Sequence, residues 1–109
     1  MKLPNGDRAI VEVGKLVEYC LNPLHPRGRS KARVFASLGI RRADAGVLLT
    51  ALLSAAVSAD ALPGTSNAWG MRYIVDFDLP GPGRLIPVRS TWIVRDGEDV
   101  PRLTSCYVR

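Results

Sequence analysis

Residues 71–79 read MRYIVDFDL, and their spacing decides the fold. Met71, Tyr73, Val75, Phe77 and Leu79 fall on one side, and Arg72, Asp76 and Asp78 on the other, with Ile74 the exception. Period-two alternation of this kind belongs to a strand buried on one face. Before it the apolar spacing is helical. Val13, Leu16, Val17, Cys20 and Leu21 predict an amphipathic helix that ends before Pro23. A second helix is expected from Arg29 or Ser30 to Gly39, with Val34, Phe35 and Leu38 as its apolar face. A third runs from about Asp44 to Ala59 and buries Ala45, Leu48, Leu49, Leu52 and Ala56.

After residue 79 the period stays at two. PGPG at 80–83 turns the chain, residues 85–95 form the next strand, and Asp96-Gly97 opens the turn to a last strand at 102–108. Pro87 predicts a bulge or an unpaired edge. PGTSNAWG at 63–70 reads as a loop, and residues 9–13 as a candidate fourth strand. The expected fold is therefore α+β, a single domain over residues 1–109. Three N-terminal helices would pack on one face of a three- to four-stranded antiparallel β-meander.

The formal net charge is +5 and the pI about 9.8. The distribution says more than the total. Between Tyr19 and Ala43 there is no acidic residue, while Arg27, Arg29, Lys31, Arg33, Arg41 and Arg42 are basic. Such a patch attracts phosphate backbones, membrane surfaces or an acidic partner, or serves only as a solvated helix face. No segment is long and apolar enough to span a membrane, and the first residues lack a signal-peptide core. The expectation is a cytoplasmic protein in which Cys20 and Cys106 are free core thiols. A single histidine and no clustered cysteines or carboxylates predict no metal and no cofactor.

The basic run sits in LNPLHPRGRSKARVF at 21–35. His25 lies between two prolines, which stiffen the connector and hold the imidazole at a defined position. At about 100° per residue Lys31 falls on the centre of the Val34, Phe35, Leu38 stripe, whereas Arg29 and Arg33 face solvent. Turn positions give an expected register. Phe77 would face Ile86, Val75 face Val88 and Tyr73 face Ser90. Arg95 would lie opposite Arg102, Trp92 opposite Ser105 and Ser90 opposite Tyr107. That register gathers Ser90, Ser105, Tyr73 and Tyr107 on the helix-covered face and puts Arg89 on the outer one.

KLVEYCLNPLHPRGRSKARVF, RSTWIV and PRLTSCY, spread over nearly the whole chain, resemble a family of small bacterial domains. Its members occur alone, beside toxin–antitoxin genes, or at the ends of polymorphic toxins and phage proteins. The family looks like part of the barnase-, EndoU-, colicin- and RelE-like ribonucleases, which have N-terminal helices on a four-stranded antiparallel sheet. The resemblance carries over His25, Gly28, Lys31, Phe35, Ser90, Trp92, Ser105 and Tyr107, with Ser90 and Ser105 standing where the family usually has threonine. A barnase-like glutamate base is missing. What it implies is a metal-independent endoribonuclease toxin that cleaves RNA by attack of the 2′-OH. His25, Lys31, Ser90, Ser105 and Tyr107 are its candidate catalytic residues. Arg27, Arg29, Arg33 and Arg89 are the candidate phosphate ligands. RNA and a small acidic antitoxin or immunity protein are the implied partners. The alternative is a non-catalytic basic module that binds RNA or protein.

Overall fold

The computed structural model describes all residues, Met1–Arg109. Helix α1 is a single α-helical turn at Val13–Lys15 that widens into a π-helical turn at Leu16–Cys20. Leu21 N–H donates to Leu16 O at 2.9 Å, the five-residue spacing of a π turn. Widening brings Leu16, Cys20 and Leu21 together into the core and leaves Val13 exposed.

Helix α2, Arg29–Ser37, buries Ala32 and Phe35. It stops at Gly39, whose φ of 89° lets Ile40 N–H reach back to Phe35 O and Gly39 N–H to Ala36 O. Helix α3, Ala45–Ser58, buries Ala45, Leu48, Leu52, Ala55 and Ala56, close to the expected stripe. None of these helices is long and apolar enough to cross a membrane.

The sheet has four antiparallel strands in chain order: β1 Ala61–Asn67, β2 Gly70–Gly81, β3 Arg84–Arg95 and β4 Pro101–Val108. The domain is α+β as expected, with one correction. The fourth strand is β1, in the stretch read as a loop, not residues 9–13. β1 pairs with the first half of β2; Ala61 is buried in the core and every residue after it is exposed. Residues 9–13 supply one parallel bridge, Ile10 with Arg102. Lys2 also bridges Asp60, so the N-terminal segment meets the sheet region before the first helix begins.

The register differs from expectation in two instructive ways. β2 and β3 close through Pro82-Gly83 alone, with Gly83 at φ 70°, so Val75 pairs with Ser90 and Phe77 with Val88. That slip of two residues preserves the faces. β4 then carries a bulge: Trp92 pairs with Leu103, but Thr91 pairs with Ser105. The extra residue shifts the following part of β4 by one, and a shift of one exchanges faces. Cys106 is buried in the core with Trp92 and Leu103, on the side of the buried Ser90. Ser105 and Tyr107 go to the other face. Pro87 lies beyond the last β3–β4 pair, where its carbonyl accepts from Arg109 N–H at 2.9 Å and its missing donor breaks no ladder bond.

Candidate functional site

The connector from α1 to α2 is held by more than its prolines. Asn22 Oδ1 accepts from Leu24 N–H at 3.0 Å, and Asn22 Nδ2 donates to Glu18 O at 3.1 Å. His25 Nδ1 accepts from the backbone N–H groups of Arg27 (3.0 Å) and Gly28 (3.1 Å). The imidazole thus caps the amides leading into α2. It stands edge-on to Tyr19, with ring centroids 4.8 Å apart at 86°. Gly28 is required beside it, because a Cβ there would meet Tyr19 O at 2.6 Å and the Tyr19 ring at 3.1 Å.

This geometry assigns the tautomer. With Nδ1 accepting, a neutral His25 carries its proton on Nε2 and presents a donor outwards. The lone pair that a general base needs is already in use. His25 opens onto a shallow depression of about 470 Å³ shared with Glu12, Lys15, Tyr19, Arg27 and Thr104. Thr104 is the residue at the β4 bulge, so the bulge and the connector form one rim.

Lys31 is not at the centre of the α2 stripe. Val34, expected inside, is 44% exposed, and the buried positions are Ala32 and Phe35. Lys31 therefore sits at the margin of α2, half-buried, and reaches the ring of Tyr107, with Nζ 4.6 Å from the centroid. An ammonium at that distance is in cation–π range.

Tyr107 pairs with Arg89 across β3 and β4, on the sheet face away from the core. Arg89 also holds Asp76 through a two-pronged bond, Nε to Oδ1 at 2.9 Å and Nη2 to Oδ2 at 3.0 Å. Arg109 Nη1 adds a contact to Asp76 Oδ2 at 3.3 Å. The hydrogen bond from Arg89 holds the Asp76 carboxyl below the usual carboxylate range, against a smaller opposing effect of burial. Asp76 in turn raises Arg89, and Tyr107 adds to that effect. The expected outer-face position of Arg89 was right. What changes is its company, because the bulge brings Tyr107 to the same side.

The hydroxyl cluster expected on the covered face is divided. Ser90 is fully buried; its Oγ donates to Val75 O at 2.7 Å and accepts from Trp92 Nε1 at 2.9 Å. It serves the core and is removed from the candidate site. Tyr73 pairs with Trp92 and packs on the core. Ser105 lies on the outer side, its buried Oγ without a partner. Arg27, Arg29 and Arg33 are exposed and form no ion pair; for Arg29 and Arg33 the exposure follows from their phase on α2, whereas Arg27 lies in the connector before it. The structure thus brings together Lys31, Tyr107 and Arg89, with His25 and Arg27 on a neighbouring rim. Asp76, Tyr19 and Thr104 were not foreseen. Only Tyr19 had a sequence signal, as the aromatic one helical turn before the connector.

Cys20 and Cys106 are buried, free and adjacent. The Cys106 thiol, then its backbone amide, draw Cys20 down to about 7, with Lys15 and Lys31 helping. Hydrogen bonding to Cys20 and burial push Cys106 up. No three His, Cys, Asp or Glu side chains gather in an arrangement suited to a metal ion. No curated protein and no solved structure matches the chain. A family model described as a domain of unknown function, DUF6883, matches residues 2–109, and the chain belongs to that family.

Proposed function

We propose that the domain is a metal-independent endoribonuclease of the toxin type, with its site at the outer edge of β4. The observation that carries this reading is the convergence of Lys31 and Arg89 on Tyr107. Cleavage by 2′-OH attack forms the 2′-O–P bond and breaks the P–O5′ bond. The 2′-OH proton leaves to solvent water, and O5′ takes the Tyr107 proton. The tyrosinate left behind lies between two cations, which also stabilise the negative phosphorane. Solvent returns the proton to Tyr107. His25 supplies its Nε2–H to a neighbouring phosphate, and Arg27, Arg29 and Arg33 hold the strand by charge. An acidic antitoxin or immunity protein would cover the same basic edge, and the cytoplasm is where this chemistry meets its substrate.

A second reading has its own support. Asp76 already engages Arg89, and the His25 lone pair is committed, so the edge also suits a binding module without catalysis. Incubating the protein with bulk RNA in EDTA separates the two. Fragments ending in a 2′,3′-cyclic phosphate and beginning with a 5′-OH are expected. Stable RNA–protein complexes with intact RNA would establish the second reading instead.

A further inference from the structure

The chain has two tryptophans in opposite environments: Trp92 is fully buried, whereas Trp69 is 75% exposed. Trp69 sits at the tip of the β1–β2 hairpin, and the tip is fixed. Trp69 N–H donates to Asn67 Oδ1 at 2.9 Å, and Asp96 N–H donates to Trp69 O at 3.0 Å. Gly70, at φ 148°, lets the tip fold against β3, where a Cβ would meet the Val94 backbone. The indole is therefore presented on a rigid support.

Beside it lies a depression of about 610 Å³ lined by Ala68, Trp69, Arg72, Ile93, Arg95 and Asp96. Arg72 pairs with Ile93 on the outer face of the sheet, the face that also carries Arg89 and Tyr107. One guanidinium nitrogen of Arg72, Nη1, is buried with no partner. Neither Arg72 nor Arg95 is within ion-pair distance of a carboxylate. An open aromatic face with two uncommitted guanidiniums suits a base and its phosphate. Aromatic stacking is tolerant of sequence, and arginine completes it through charge and planar contact. Asp96 offers an acceptor for an exocyclic amine.

We propose that Trp69, Arg72 and Arg95 form a nucleotide subsite for single-stranded RNA, with the base stacked on Trp69 and the phosphate held by the arginines. Arg95 lies six residue steps along β3 from Arg89, about 20 Å of strand. A strand of roughly four nucleotides would bridge this subsite to Tyr107, at the low end of known site sizes. The inference rests on RNA as the ligand, but not on cleavage.

The test uses a 2′-O-methyl adenosine tetramer, which lacks the attacking hydroxyl. Because Trp92 is buried, quenching by the tetramer reports on Trp69. Saturable quenching at 50 mM salt is expected. Trp69→Ala should weaken binding of a labelled tetramer, read by anisotropy, by about tenfold or more, and Trp69→Phe should restore most of it. Arg72→Ala with Arg95→Ala should weaken binding and reduce its salt dependence. Absence of quenching, or unchanged affinity in Trp69→Ala, would overturn the subsite. Binding through Trp69 without any RNA cleavage would overturn the endoribonuclease and leave the subsite standing. Cleavage that Trp69→Ala does not alter would do the reverse.

Discussion

The two faces of the sheet use the same residue types for different ends. On the inner face Val75, Leu79, Ile86, Val88, Trp92, Leu103 and Cys106 are all buried, and the one fully buried polar side chain, Ser90, is bonded on both sides by the core. On the outer face Asp76, Arg89 and Tyr107 stay half-exposed, and Lys31 comes round from α2 to join them. A hydroxyl on the inner face satisfies a buried indole. On the outer face the ring of Tyr107 meets a cation, Lys31. Membership is decided by one inserted residue, because the bulge at Thr104 and Ser105 moves the end of β4 across the sheet. A residue's type therefore says little about its role until its face is known.

The comparison can be broken most forcefully on the inner face. Trp92→Ala should cost about 3–5 kcal/mol in urea unfolding, since it empties the centre of the core. Tyr107→Ala should cost far less. Equal losses would mean that the faces are not energetically distinct. Ser90→Ala comes next. It leaves the Trp92 indole N–H and the Val75 carbonyl without their partner, which should cost about 1–3 kcal/mol. Activity per folded molecule should not change, and a collapse of activity in a folded Ser90→Ala protein would return Ser90 to the site.

The smallest effect concerns the outer ion pair. Asp76 is held below its ordinary value of 3.8 in the folded protein. Its contribution to stability is therefore complete above that value and is lost as the pH falls through the lowered folded value. Wild type should exceed Asp76→Asn in urea midpoint at pH 7, and the gap should close as the solution is acidified below the ordinary value. A gap that persists unchanged in strong acid would mean that the Arg89 pair does not stabilise the fold.

Much of this fold could be read from the chain. Strict alternation in β2 and the alanine- and leucine-rich spacing of α3 each encode which side is buried. β1 could not be read, because only Ala61 of its seven residues is buried and the exposed rest carries no alternation. The candidate site was legible in composition but not in assembly. Lys31, Tyr107 and Arg89 could each be named as candidates, yet their meeting depends on a bulge and a two-residue turn that only backbone geometry fixes. His25 does lie in the connector between α1 and α2. Its role as a cap could not be read, since it depends on where two amide hydrogens point. The phase of Lys31 was displaced because Ala32, small enough to bury completely, turns α2 towards itself and leaves Val34 outside.

The central claim is that Tyr107, Lys31 and Arg89 work as one unit on the outer edge. The most direct test is the rate of RNA cleavage in EDTA by wild type, Tyr107→Phe, Lys31→Met and the double variant, with folding checked by urea unfolding. Each single change should lower the rate by about 10²-fold or more, as for loss of one transition-state donor. The double change should fall far short of the product of the two, as for residues acting together. Stability should hold within about 0.5 kcal/mol, the range for surface substitutions. Full activity in a folded Tyr107→Phe protein, or no cleavage by wild type, would contradict the claim.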